Sequence, residues 1–223
     1  MIPLDITLAS SMDAASRHLP DMETNRKNMK AYKLTDQNCT TQNNTLWEIG
    51  VTKEICGELQ DKDAPLCSES WFHVYGDPLL AVLMNPNHAN IKHPRLWEAE
   101  ASGLFKEESL KSGTTCLTLI RELELPVLTT VQRIAFGILC AKSVCTEASW
   151  IVWADNWLSG KDRSGKSATY AATYAATAAT AATDAASYAA SYAIYAADAA
   201  AYAATDAAAI DFIALAKQAL TIS

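Results

Sequence analysis

The last 58 residues, 166–223, contain neither glycine nor proline. Nothing in that stretch marks a turn or breaks a helix. The six cysteines (Cys39, Cys56, Cys67, Cys116, Cys140 and Cys145) include no CxxC pair, so the common zinc and redox spacings are absent. No run reaches the 18 apolar residues that a membrane-spanning helix requires. Clustered Lys and Arg are also missing. Eighteen basic residues stand against 25 acidic ones, a net charge of −7 with a pI near 5.1. Phosphate contacts need a basic patch, which argues against nucleic acid or an anionic membrane as partner. Met1 to Pro20 has no basic start and no long apolar run. That predicts a chain without a secretory leader, working in the cytoplasm with its thiols reduced.

What is present is an alanine repeat. Doublets begin at Ala171, Ala175, Ala178, Ala181, Ala185 and Ala189, a lone Ala193 keeps the place, and pairs follow at Ala196, Ala200, Ala203 and Ala207. Ten steps cover 36 residues, or 3.6 per step, the repeat of an α-helix. Ala171, Ala175, Ala178, Ala182, Ala185, Ala189, Ala196, Ala200, Ala203 and Ala207 then form a methyl-only seam, against which a second backbone can come close. Tyr170, Tyr174, Tyr188, Tyr192, Tyr195 and Tyr202 fall within about 40° of one line along the same helix. Tyrosine gives a large contact area and keeps a polar tip, so this stripe is the candidate partner-binding surface. The alternative is that it lies on the protein's own helices. An unbroken helix of about 50 residues would be about 75 Å long; the rival is a helical hairpin.

Ahead of the repeat, the pattern predicts an α+β fold. Residues 1–28 read as a polar extension and 29–112 as a small α+β domain. Residues 113–160 read as a pair of amphipathic helices, and 161–223 as the Ala-rich helix. Within the α+β domain, Ala31–Leu34, Leu46–Val51, Ser70–Val74 and Arg95–Ala101 read as strands, the last stopped by Gly103. Asp77 caps a short helix with Pro78 in its first turn, and Asn85-Pro86-Asn87 closes it. From Leu117 the texture becomes helical. Thr129 or Thr130 caps one helix to about Val144, and Thr146-Glu147 opens another to about Leu158. On that second helix Trp150, Trp153 and Trp157 form a core stripe. Ser159 to Gly165 reads as a hinge.

Two stretches carry a resemblance. Leu66-Cys67, Trp71-Phe-His73, Asp77-Pro-Leu79 and Arg95-Leu-Trp-Glu-Ala-Glu-Ala101 resemble an uncharacterised domain of bacteriophage accessory proteins, with Trp71 where that domain has glycine. Ala135-Phe-Gly-Ile-Leu-Cys-Ala141, Trp153-Ala-Asp-Asn-Trp-Leu-Ser-Gly160, Asp162-Arg-Ser164 and the alanine doublets resemble alanine-rich proteins of phages and of polymorphic-toxin immunity loci. The resemblance implies a phage origin and action in the host cytoplasm. It implies no catalytic activity.

Other sites are weaker. His73, His88 and His93 with Cys56 or Cys67 match no zinc spacing, so neither a metal nor a cofactor is expected. Asp77 near His73 reads as a helix cap before it reads as a catalytic partner. The Thr–Ala spacing of 169–183 resembles an ice-binding helix, but Asp184 and Ser187 interrupt the array. The first expectation is a non-enzymatic binding protein, a homodimer assembled through the alanine seam, that engages and inhibits a host protein such as a defence or nucleic-acid enzyme. The second is an enzyme or small-ligand binder in 29–112, with His73 and Glu98 facing a pocket and an ADP-ribosyltransferase core as its outer limit. The third is a structural virion module.

Overall fold

A computed structural model describes residues 28–108, 110–143, 145, 148–164 and 210–223. The fold is α+β. Strands are β1 (Met29–Thr35), β2 (Thr40–Thr41), β3 (Thr45–Leu46), β4 (Thr52–Glu54), β5 (Phe72–Val74), β6 (Arg95–Glu107) and β7 (Ser112–Leu123). Helices among the described residues are α1 (Pro78–His88), α2 (Thr130–Lys142), α3 (Ala148–Leu158) and α4 (Phe212–Ala219).

The long hairpin β6–β7 is the centre of the sheet. β1 pairs antiparallel with β6, and both β4 and β5 pair antiparallel with the far edge of β7. The sheet curls until its ends meet. Tyr75, just after β5, exchanges two backbone hydrogen bonds with Tyr32 in β1, each 2.9 Å. The curl needs bends, and register shifts at Glu98/Ala99 and Ser102/Phe105 supply them. Gly103 sits in the second bend at φ +83°, a conformation that side chains disfavour.

Alternation along β1 and β6 separates two cores. Ala31, Trp97, Ala99 and Ala101 face inward with Trp47, Val74, Leu117 and Leu119. Leu34 and Leu96 face the other way and pack with α1, α2, α3 and α4. Small alanines on neighbouring strands leave room for the indoles of Trp47 and Trp97, which are almost fully buried.

Local chemistry starts α1, α2 and α4. Asp77 Oδ1 accepts from Leu79 N at 2.8 Å, and Pro78 occupies the first turn of α1. Thr129 and Gln132 form a reciprocal capping box on α2, at 3.0 and 3.1 Å. Asp211 Oδ1 accepts from Ala214 N at 2.9 Å to start α4.

Four expectations are corrected. Leu46–Val51 is not one strand: β3 ends at Leu46, Ile49 makes a single bridge to Leu119, and β4 begins at Thr52. Its left-handed Gly50, φ +74°, turns the chain instead. The helix of Pro78 runs through Pro86 to His88, because the carbonyl that Pro86 cannot serve finds another donor. Gly103 bends β6 without ending it. The segment after Leu117 is strand to Leu123, so residues 113–123 belong with the sheet and not with the helices that follow.

The glycine- and proline-free stretch 166–223 is also not one helix. Asp211 has φ −81° and ψ 83°, outside the helical region, and α4 starts anew after it. Phe212, Ala216 and Ala219 are buried between α1 and α2. Burial of the Phe212 ring alone contributes about 1.5–3 kcal/mol. The seam alanines from Ala171 to Ala207, the tyrosines from Tyr170 to Tyr202, residues 1–27 and the Thr146-Glu147 cap lie outside the described residues.

Candidate functional site

Residues 61–71 form a loop held over the tip of the β6–β7 hairpin. Lys106 Nζ donates to the Ala64 carbonyl at 2.6 Å, and Trp71 Nε1 donates to the same oxygen at 3.2 Å. Lys111 Nζ lies 2.8 Å from Cys67 Sγ. His73 Nε2 meets the Leu66 carbonyl at 2.5 Å. Leu66 and Trp71 approach so closely because residue 113 is glycine. A Cβ there would overlap Leu66 Cδ1 and stand 2.9 Å from Trp71 Cβ.

Beside this clamp lies a cleft of about 190 Å³, lined by Gly76, Leu80, Glu108, Lys111, Asp211 and Phe212 among others. The chain reaches it from three directions: the turn before α1, the hairpin tip, and the start of α4. Lys111 therefore belongs to both the cleft and the cysteine contact.

Burial and the nearby charges of Lys33, Lys111 and His88 push the His73 imidazole down to about 4. The ring is neutral near pH 7. A carbonyl only accepts, so the neutral ring keeps its proton on Nε2 and donates it to Leu66. That arrangement fixes the loop; it does not free Nε2 to act as a base.

Sequence reasoning misses Lys33. It is 7% exposed and sits on the inward face of β1, in phase with Ala31 and Thr35. Its Nζ donates to the His73 carbonyl at 2.7 Å and stands 5.3 Å from the centre of the Trp47 ring. Burial lowers its pKa to about 8. A signal exists in the sequence, since a charge at an inward position of an alternating strand is unusual.

Glu98 lies on the outer face of β6. It accepts from Arg121 at 2.7 Å and pairs with Lys30 at 3.0 Å. The Lys30 hydrogen bond first, then that of Arg121, holds its carboxyl below the ordinary range. His73 and Glu98 thus use separate partners, and no bond or ion pair between them is present among the described residues. A neighbouring pair, Arg95 and Glu122, is bidentate at 2.8 and 2.5 Å, with the guanidinium 4.6 Å from the Trp97 ring centre.

The remaining histidines are dispersed. His88 Nδ1 is 3.3 Å from the Tyr75 hydroxyl with the rings stacked, and His93 occupies a left-handed turn at φ 50°. No three His, Cys, Asp or Glu side chains among the described residues are grouped as metal ligands. No helix among the described residues is long and apolar enough to cross a membrane.

No protein family, no curated protein and no solved structure matches this chain.

Proposed function

We propose that this chain is a non-enzymatic protein-binding module of phage origin that engages and inhibits a host protein in the host cytoplasm. On this reading, the curled sheet and its helices are a scaffold, and residues 165–209 are the element presented to partners.

The observation that supports it is the anchorage of both flanks of that segment. Arg163 Nη1 donates to the Ser223 carbonyl at 2.7 Å and Arg163 Nε to the Trp157 carbonyl at 3.0 Å. On the other flank, α4 is buried against α1 and α2. Even at full stretch, residues 164 and 210 are then no more than about 45 Å apart. On this reading the tyrosine stripe takes the host protein and the alanine seam takes a second copy of the chain in a dimer. The resemblance to phage accessory and immunity-locus proteins makes a host protein the partner.

Light scattering of the purified chain, followed by capture from host cells, tests this. The wild type is expected to be dimeric and to retain one stoichiometric partner. Ala178→Leu with Ala182→Leu is expected to abolish assembly, and Tyr188→Ala with Tyr192→Ala to lose the partner. A monomer that retains no stoichiometric protein overturns the reading.

The cleft beside Lys111 favours a second reading, a small-ligand site. Glu108→Ala, in the cleft wall, separates the two. Loss of the biological effect in a folded variant supports the ligand site, and an unchanged effect supports the binding module.

A further inference from the structure

We propose that Cys67 and Lys111 form an oxidant-dependent covalent cross-link, a modification site distinct from the partner-binding element. The two groups come from different parts of the fold, 44 residues apart in sequence. Cys67 belongs to the loop before β5, and Lys111 to the turn between β6 and β7. Their sulfur and nitrogen stand 2.8 Å apart, with the amine directed at the sulfur in a hydrogen bond.

Three features make the contact reactive rather than merely close. Cys67 is exposed, so a small oxidant reaches the sulfur directly. The loop is fixed on both sides of Cys67 by the Lys106–Ala64, Trp71–Ala64 and His73–Leu66 hydrogen bonds, so the sulfur is held at the amine. Lys111 is anchored by β7 through the Ser112–Val74 and Gly113–His73 pairings. Two groups held this way react as neighbours, with the orientational entropy already lost on folding. Cys56, the other exposed thiol, has no hydrogen-bonded amine among the described residues. Cys39 also has a cationic neighbour, the Arg95 guanidinium, but that group is held by Glu122 and is not a nucleophile.

The oxidant is hydrogen peroxide or another two-electron peroxide. The Cys67 thiol attacks the peroxide; sulfur is oxidised to the sulfenic acid, the O–O bond breaks, and water leaves. Lys111 then loses a proton to solvent. Its lone pair attacks the sulfur, the S–O bond breaks, and the hydroxyl departs as water with a second amine proton. The product is a sulfenamide, S–N, that staples the loop to the hairpin tip at one wall of the cleft. A thiol reductant reverses it by attacking the sulfur and returning the amine.

The test uses the full chain, treated with hydrogen peroxide, blocked at free thiols, digested and weighed by mass spectrometry. The expected result is a linked pair of peptides containing Cys67 and Lys111, two hydrogens lighter than their sum and lost after dithiothreitol. Cys56→Ser should leave its yield unchanged. Lys111→Arg keeps the charge but should lose the pair and accumulate dimedone-reactive sulfenic acid at Cys67, with an unchanged circular dichroism spectrum. The proposal is overturned if Cys67 ends in a disulfide, stays unreacted, or takes up oxygen equally in the wild type and Lys111→Arg. A linked pair one oxygen heavier signals an N–O–S bridge and overturns the S–N assignment.

Discussion

Arg133 donates Nη1 to the carbonyl oxygen of Val82 at 3.2 Å, and Val82 is the residue four before Pro86. In an α-helix that oxygen would accept from the N–H of residue 86, which proline lacks. The guanidinium from α2 replaces the missing donor, so α1 continues to His88. Burial in this position lowers the Arg133 pKa.

Removing that donor has a defined consequence. Arg133→Met should cost about 1–3 kcal/mol, the penalty for a carbonyl left unsatisfied. In a Pro86→Ala background the same substitution should cost clearly less, because the restored backbone N–H supplies the bond. Urea titrations of the four proteins measure the coupling. Additive effects would separate the two residues.

Lys33 gives a prediction above neutral pH. Its folded pKa, about 8, is below the usual 10.5, so between those values the unfolded chain holds more protons. Stability should rise with pH across that window, by an amount on the order of 3 kcal/mol, and be constant below it. Lys33→Met should remove the slope and stabilise the protein at pH 7 by about 1–3 kcal/mol, because a buried ammonium no longer needs to be accommodated. Denaturant melts from pH 7 to 10.5 read both effects.

His73 gives the acid counterpart. Its folded pKa of about 4 lies below the usual 6.5. The unfolded chain again binds the extra proton, so stability is full above about 6.5 and falls as pH drops toward 4. The loss should be on the order of 3 kcal/mol. The ring's proton resonances should show no titration between pH 5 and 8. A midpoint near 6.5 would mean that the ring is solvated and the Leu66 contact absent.

Gly113 tests the fit of the loop. Gly113→Ala should destabilise by about 1–3 kcal/mol through overlap with Leu66 and Trp71. Leu66→Ala in the same chain should relieve part of that cost. Thermal unfolding of the single and double variants decides it; a neutral Gly113→Ala would place the loop further from β7.

These sites also mark where local pattern suffices and where it does not. Asp77-Pro78 starts α1 as expected because capping is a matter of adjacent residues. The end of α1 depends on Arg133, 51 residues away, and no local rule contains that. Likewise Cys116-Leu-Thr-Leu-Ile-Arg-Glu-Leu123 has leucines that suit either period. Pairing with β6 on one edge and with β4 and β5 on the other decides for a strand. The break before α4 has a local signal, Asp211 ahead of an apolar run, but the alanine rhythm continues close to it and conceals the cap. At the clamp, Phe-His is visible in sequence, whereas the meeting of Cys67 with Lys111 is a product of the tertiary fold.

α4 joins the packed interior although 53 residues, 159–211, separate it from α3. A protease that cuts between 164 and 210 would therefore sever the polypeptide without freeing its smaller fragment. The two pieces should co-elute under native conditions and part only in denaturant, so an intact elution profile says nothing about an intact chain.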